Sequence, residues 1–292
     1  MTTESAFIES LRALASHPAA RGLNDDCAVL EIGGEALVLT HDAMAEGIHF
    51  LAGHDPADVA WKLVATNLSD LAAKGAQPLG LLLGYQLGRD DAQFALGLGE
   101  ALEQFKVPLL GGDTIGGSEA QVLGLTALGR ATHRPVPSRS GAKAGDAVWV
   151  TGALGAAMAG FEALQSGTGD SLAYRRPVPL LAAGQALAPW VTAMMDISDG
   201  LLLDCTRLAQ ASGITIALNS QAIPIAVAED RRDDALRWGD DYQLLFTLPP
   251  GVVPPCPATA IGTARPAGMH ALLLDNAPPT GRLGYEHGGN SA

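Results

Sequence analysis

The sequence predicts two α/β domains, and three observations carry that prediction. The 292 residues exceed one average domain, and 48% of them are hydrophobic, enough to bury a sizeable core. Short apolar runs of strand length alternate with longer segments of helical period in both halves. A stretch rich in Pro, Ser, Gly and basic residues, Thr132 to Gly145, separates the halves, and a boundary near Arg134 to Arg139 follows. The expected division is residues 1–134 and residues 135–292.

In order along the first half, Phe7, Ile8, Leu11 and Leu14 suit one face of a short amphipathic helix. Ala36 to Thr40 is a short apolar run ending at a polar cluster, as a buried strand would be. Asp55-Pro56 then opens a helical period through Val59, Ala60, Leu63, Val64, Leu68 and Leu71 that stops at Gly75. Leu79 to Leu87 reads as a strand, Ala92 to Phe105 as a helix, Val107 to Leu110 as a strand entering Gly111-Gly112, and Val122 to Arg130 as a strand. The second half repeats the alternation: strand Ala147 to Thr151, helix Gly155 to Gln165, a Pro-punctuated segment Arg176 to Leu180, strand Ala193 to Ile197, helix Leu201 to Ala211. Strand Leu244 to Leu248 and a Pro-rich tail after Pro249 are expected to close the domain.

Bulk properties exclude several classes. A net charge of −13 argues against a nucleic-acid footprint and against anionic membranes, both of which need clustered Lys and Arg. Cys27, Cys205 and Cys256 are odd in number and widely spaced, so neither a disulfide framework nor a zinc site is expected. Met1 to Leu14 carries Glu4 and Glu9 and lacks a signal-peptide pattern, and no apolar run approaches the roughly 20 residues of a membrane span. A cytoplasmic location is the expectation.

The recurring chemical theme is a carboxylate at the end of an apolar strand or inside an apolar helix: Asp25-Asp26, Asp42, Asp70, Asp113, Asp196, Asp199 and Asp240-Asp241. Oxygen ligands of this kind suit Mg²⁺, which binds through few carboxylates plus waters and substrate phosphates. Taken singly, most have a structural alternative: Asn24-Asp25-Asp26 can form a turn, and Asp199-Gly200 can cap the next helix. Asp70 is harder to explain that way, because it lies near the negative end of its helix. An i,i+4 pair with Lys74 contributes only about 0.2–0.5 kcal/mol on an exposed face, so a buried Asp70 calls for a metal ion, with Asn67 one turn earlier to orient it.

Gly111-Gly112-Asp113-Thr114 lets backbone approach a phosphate closely, whereas no G-x-x-x-x-G-K-[ST] segment exists, which excludes a P-loop kinase. Gly152-Ala153-Leu154-Gly155 reads as a tight strand-to-helix turn, not a dinucleotide fingerprint. His41 and His49 flank Glu46 without a metal or nucleophile spacing of their own, Ser69 and Ser198 lack the nucleophile elbow, and Cys27 and Cys205 have no evident base.

Taken together, these segments resemble the thiamine-monophosphate kinase family, in the superfamily of aminoimidazole ribonucleotide synthetase and selenophosphate synthetase. The resemblance rests on Asn24-Asp25-Asp26-Cys27-Ala28-Val29, Thr40-His41-Asp42 continuing to Glu46-Gly47-Ile48-His49-Phe50, Asn67 to Ala76, Gly111 to Thr114, Met195 to Leu201, and Gly239-Asp240-Asp241-Tyr242-Gln243-Leu244-Leu245-Phe246. It runs from Asn24 to Tyr285. It implies ATP and thiamine monophosphate as substrates, with Mg²⁺ held by Asp26, Thr40, His41, Asp42, Asp70, Asp113, Asp196 and Asp199. It further implies nucleotide contacts from Gly112, Asp113, Arg139 and Ser198, an acceptor site at His49, Asp240 and Tyr285, and a homodimer formed through the N-terminal sheets. Two residues depart from the family pattern: His41 stands where Thr is usual, and Asp240 where Glu is usual.

Phosphoryl transfer needs charge neutralisation and in-line placement more than covalent help. An acceptor phosphate is already ionised at neutral pH, so no residue is expected as nucleophile or general base, and transfer is expected to be direct. The alternatives are another ATP-dependent synthetase of the superfamily and a non-catalytic nucleotide-binding protein.

Overall fold

A computed structural model describes residues 4–117 and 120–286. Helix α1 (Glu4–Arg12) precedes a first sheet built from β1 (Ala28–Ile32), β2 (Glu35–Ala45), β3 (Ala76–Gln86), β4 (Leu109–Ile115) and β5 (Val122–Ala131), in the order β1-β2-β5-β3-β4. Only the β3 and β4 pair is parallel; the rest run antiparallel. Helices α2 (Pro56–Ala73) and α3 (Asp91–Phe105) pack together, and α2 lies against β2, β3 and β5.

Alternation in β2 decides what faces α2. Ala36, Val38, Thr40 and Met44 are buried, whereas His41 between them is exposed on the other face. The helix itself begins where Asp55 accepts a hydrogen bond from the Ala57 amide and Pro56 sets the first turn. It ends at Lys74, followed by Gly75 at φ 59°. α2 is buried almost all round because it is clamped between the first sheet and parts of the second half, α6 (Leu181–Leu187) and β7 (Ala193–Asp196).

The second sheet has the order β11-β8-β10-β6-β9-β7, adding β6 (Ala147–Val150), β8 (Ile214–Leu218), β9 (Leu244–Leu248), β10 (Thr259–Pro266) and β11 (Leu272–Leu274). Helices α4 (Ala156–Ser166), α5 (Leu172–Arg175), α7 (Leu201–Ser212) and α8 (Arg232–Trp238) accompany it. Each sheet has its own core, and a third apolar cluster of Ala72, Ala73, Leu187, Met194, Leu244, Phe246 and Leu248 welds them together. The architecture is therefore two mixed α/β sheet domains.

The tail after Pro249 differs from expectation. It contributes β10, an interior strand that pairs with both β6 and β8, and then the edge strand β11. Val136, past the expected boundary, packs into the first core, so the linker belongs physically to both halves.

Candidate functional site

Strand β2, the C-terminal half of α2, strand β7 and the turn that follows it converge on a cavity of about 500 Å³. Its acidic end is lined by Asp25, Asp26, Asp42, Asp70, Asp196 and Asp199. Asp26, Asp70 and Asp196 each offer an oxygen, and the three oxygens lie within 4.8 Å of one another. Each side chain is held from behind. The Thr40 hydroxyl donates to Asp70, the Ser69 hydroxyl donates to Asp196 at 2.5 Å, and the Asp42 amide donates to the Asn67 side-chain oxygen at 3.1 Å.

The charges on the two banks of this end are unequal. On one, the Lys74 ammonium contacts both Asp25 and Asp26, Arg139 grips the other Asp26 oxygen, and Arg21 holds Asp25. Burial alone would raise both carboxyls, but these cations outweigh it and hold them below the ordinary range. On the other bank, burial and the charges of neighbouring carboxylates, Asp26 first among them, push Asp42 up to about 6 and Asp196 up to about 7. The same two causes put Asp70 well above the ordinary carboxyl value, with Asp42, Asp196 and Asp26 as the repelling charges. Asp26 Oδ2 is buried and lies 2.6 Å from Lys74 Nζ, a charge-assisted contact. An all-oxygen donor set with surplus negative charge fits a hard divalent cation.

The opposite end has another character. Lys62, Thr66 and Asp70 stand at i, i+4 and i+8 on one face of α2, so the cavity follows the helix for about 12 Å. Around Lys62 it is aromatic: Phe161, Tyr174, Trp238, Tyr242 and Tyr285 line it, which includes three of the chain's four tyrosines. Lys62 Nζ donates to Asp240 at 2.7 Å and sits 3.8 Å from the Tyr174 ring centre. Tyr242 donates to the other Asp240 oxygen at 2.8 Å, and Tyr174 donates to the His49 carbonyl at 3.1 Å.

The loop carrying Asp240 is pinned at three points. The amides of Asp240 and Tyr242 donate to the carbonyls of Ser198 and Ile197, and Asp241 accepts from the amides of Gly155 and Ala157 at the start of α4. Gly239, at φ 93°, is needed because a β-carbon there would strike the Ser198 carbonyl. In the Gly152 to Gly155 turn, the Gly155 amide is taken by Asp241 and the Leu154 amide by the Pro224 carbonyl, in keeping with a structural turn. Cys27 and Cys205 are buried, and burial pushes both thiols well up, which leaves them poor nucleophiles.

Asp26, Asp42, Asp70, Arg139, Asp196, Ser198 and Asp199 line the cavity, as do His49, Asp240 and Tyr285. Thr40 stands behind Asp70. The tail returns to the cleft because the Tyr285 amide donates to the Asp199 carbonyl at 2.8 Å. Three residues lie elsewhere. His41 points to the opposite face of β2 and meets the Thr126 hydroxyl at 2.9 Å, because strand alternation that turns Thr40 and Asp42 inward must turn it out. Gly112 and Asp113 sit on the exposed strand β4, where a β-carbon on Gly112 would strike the Leu83 carbonyl of β3.

Three local readings change as well. Lys74 pairs with Asp25 and Asp26 rather than Asp70, because its side chain runs under the Asn24–Cys27 loop. Asn67 orients the Asp42 backbone rather than Asp70, through bonds to Asp42 and Leu63. Asp199 does not cap α7; its carboxylate is held by Arg207, and its amide donates to Asp204. Lys62, Phe161, Tyr174, Trp238 and Tyr242 were not among the expected site residues. A lone Lys inside an apolar helical run was the available signal for the first.

Comparison with known proteins gives consistent matches. Residues 24–131 match the AIR synthase related protein, N-terminal domain, and residues 143–261 match its C-terminal domain. The chain is 38% identical to thiamine-monophosphate kinase of Salmonella typhimurium over 254 residues, 78% of this chain and 76% of that protein. It is 37% identical to the Caulobacter vibrioides protein of the same name, over 80% of this chain and 72% of the relative. A solved AaThiL structure complexed with AMPPCP and TMP superimposes with a TM-score of 0.87 at 29% identity, covering 98% of this chain and 97% of that one.

Proposed function

From the thiamine-monophosphate kinase family, to which this chain belongs, we infer the use of the cleft: ATP and thiamine monophosphate meet there and a phosphoryl group passes between them. The protein is a phosphotransferase that makes thiamine diphosphate from thiamine monophosphate at the expense of ATP. The observation that best supports the placement is the polarity of the cavity, with a carboxylate cluster at one end and an aromatic wall around Asp240 at the other.

In this reading Asp26, Asp42, Asp70, Asp196 and Asp199 hold Mg²⁺, with Thr40 orienting Asp70. When bound, the ion would neutralise the phosphates of donor and acceptor. Arg139 and Ser198 face the same end and serve the nucleotide. Asp240 and Tyr285 take the positively charged thiazolium ring of the acceptor, aided by His49, and Lys62 with Tyr242 fixes the Asp240 carboxylate in place. The acceptor supplies an ionised oxygen of its own, so transfer is direct and in line without a phosphoenzyme.

The division of labour follows the two sheets: residues 1–134 supply most carboxylates and pair subunits, and residues 135–292 supply Arg139, Ser198 and the acceptor wall. A homodimer is supported by the exposed apolar side chains Leu82, Leu109, Leu110, Ile115 and Val122 on the first sheet. Gly112 and Asp113 lie on that same sheet, so their assignment to the nucleotide goes with the dimer. Among the described residues no helix is long and apolar enough to cross a membrane, and we place the enzyme in the cytoplasm.

The test is incubation with ATP, Mg²⁺ and thiamine monophosphate, followed by product identification. Stoichiometric ADP and thiamine diphosphate are expected. ADP release unaffected by the acceptor, or phosphorylation of other phosphate esters in preference to it, would sink the substrate assignment.

A further inference from the structure

Lys74 is one of the two largest fully buried side chains among the described residues, yet it does not line the cavity. It lies behind the carboxylates. Its ammonium contacts Asp25 Oδ1, Asp26 Oδ2 at 2.6 Å and the Met194 carbonyl at 3.3 Å, and the two carboxylates are 1% and 2% exposed. All three partners are oxygens, two of them charged and shared through a single atom.

We propose that Lys74 is a built-in cation that occupies, behind Asp25 and Asp26, the place a divalent ion would otherwise take, so that the chain needs one metal ion fewer to neutralise its cleft. The inference rests on reading the acidic end as a metal site. Two features separate this role from that of a plain strut. First, the ammonium bridges two carboxylates and a carbonyl, the oxygen-only donor set that a hard cation selects. Second, the buried Asp26 Oδ2 faces the Lys74 ammonium at 2.6 Å while Arg139 takes the other oxygen, a charge-assisted contact of the kind an oxygen makes with an ion. The backbone favours a positive charge here, since Lys74 caps the C-terminal end of α2, where the carbonyl dipoles point outward. Across the cleft, Asp70 and Asp196 accept from the hydroxyls of Thr40 and Ser69, and among the described residues no Lys or Arg is bonded to them or to Asp42. Loading is therefore expected on that bank, with Asp26 reaching across from the neutralised one.

Replacing Lys74 by Met removes the charge and keeps most of the apolar stem. The test counts ions on the full-length protein with Mn²⁺ alone, from the residual free-ion paramagnetic resonance signal, and follows melting temperature with and without Mg²⁺. Lys74→Met is expected to bind one more Mn²⁺ per chain than the wild type. It should melt lower than the wild type in chelator and recover more of that loss on adding Mg²⁺. An equal ion count together with a melting deficit that Mg²⁺ does not repair overturns the proposal and leaves Lys74 a strut. Lys74→Gln, which keeps an N–H donor, carries the same test if Lys74→Met does not fold in chelator. Folding of either variant on addition of ion supports the proposal, and failure of both with ion present overturns it. Since neither ATP nor acceptor is added, the outcome does not depend on the substrate assignment. A wild type that binds no ion would sink the metal reading itself, and Lys74 would then be judged by whether the variant binds one.

Discussion

Asp25 and Asp26 on one bank of the cleft carry three basic partners, Lys74, Arg139 and Arg21, whereas on the other Asp70 and Asp196 accept from the Thr40 and Ser69 hydroxyls and stand beside Asp42. The first bank is electrostatically complete within the chain. In the second, burial and neighbouring carboxylates push the carboxyls of Asp42 and Asp196 up to about 6 and about 7. A buried charge without a partner is costly enough that proteins avoid it unless a ligand relieves the cost. The difference therefore teaches where the chain waits for something from solution. It also separates two kinds of aspartate that look alike in the sequence.

The sharpest way to break this comparison is Asp70→Asn. The substitution keeps an oxygen able to accept from Thr40 and removes one negative charge from the uncompensated bank. Phosphoryl transfer is expected to fall by at least about 10²–10³-fold, the scale of losing a preorganised charge contact. Melting temperature in chelator should not fall, since repulsion with Asp42, Asp196 and Asp26 is relieved. Turnover near wild type at saturating Mg²⁺ would dissolve the distinction between the banks.

A pH series sharpens it further. Asp42 at about 6 and Asp196 at about 7 both lie above their ordinary value of 3.8. Each holds its proton more tightly folded than unfolded, so its stabilising contribution is complete below about pH 4 and is lost as pH rises through 6 to 7. The charges facing them are Asp26, Asp199 and Asp204, with Asp70 coupled to both, and the nearest cations are committed to Asp25, Asp26 and Asp199. Metal-free protein should therefore melt lower at pH 8 than at pH 5.5, and Mg²⁺ should restore much of the loss at pH 8. Burial lowers His54, which acts in the opposite direction, so the informative quantity is the difference between curves with and without Mg²⁺. Parallel curves would mean that the second bank takes no ion.

How much of this was legible depended on the range of the interactions. The strand–helix alternation and the tight turn from Gly152 to Gly155 are local patterns, whereas the Asp241 carboxylate that holds this turn comes from 86 positions away. Strands β1, β8, β10 and β11 were missed because three to eight residues give little periodicity, and Pro254, Pro255 and Pro257 made the approach to β10 look like a loop. The true partners of Lys74 lie nearly fifty positions away and were invisible to an i,i+4 argument. The aromatic wall draws Phe161, Tyr174, Trp238, Tyr242 and Tyr285 from separate elements, so no spacing announces it. His41 is the opposite case: its outward direction was implied by the period of two that turns Thr40 and Asp42 inward.

At the acceptor end the comparison predicts a smaller effect. Tyr285 lines the cavity while its amide is tied to the Asp199 carbonyl, so the residue is anchored in the cleft. A cation–π contact with the thiazolium ring contributes about 0.5–2 kcal/mol, or roughly 2- to 30-fold in binding. Tyr285→Ala should raise KM for thiamine monophosphate by that factor and leave KM for ATP nearly unchanged. Equal rises for both would make Tyr285 a packing residue of the tail.

The smallest effect is expected at His41, and it tests whether the block's sequence or its geometry governs function. His41 is exposed on the face of β2 away from the cavity and meets Thr126, its register partner on β5. Thr40 and Asp42, its neighbours on the inner face, already serve the cleft with oxygen. His41→Thr places a β-branched residue in a strand, where it is well tolerated, and keeps a hydroxyl opposite Thr126. Stability should shift by no more than about 0.5 kcal/mol, and kcat and the Mg²⁺ requirement by less than about twofold. Because the same face is proposed to pair subunits, activity should also be measured across protein concentrations. A defect that disappears at high concentration would assign His41 to the subunit contact. A loss of tenfold or more at every concentration would place the imidazole in the reaction despite its direction, and the division of β2 into a working face and an outer face would have to be abandoned.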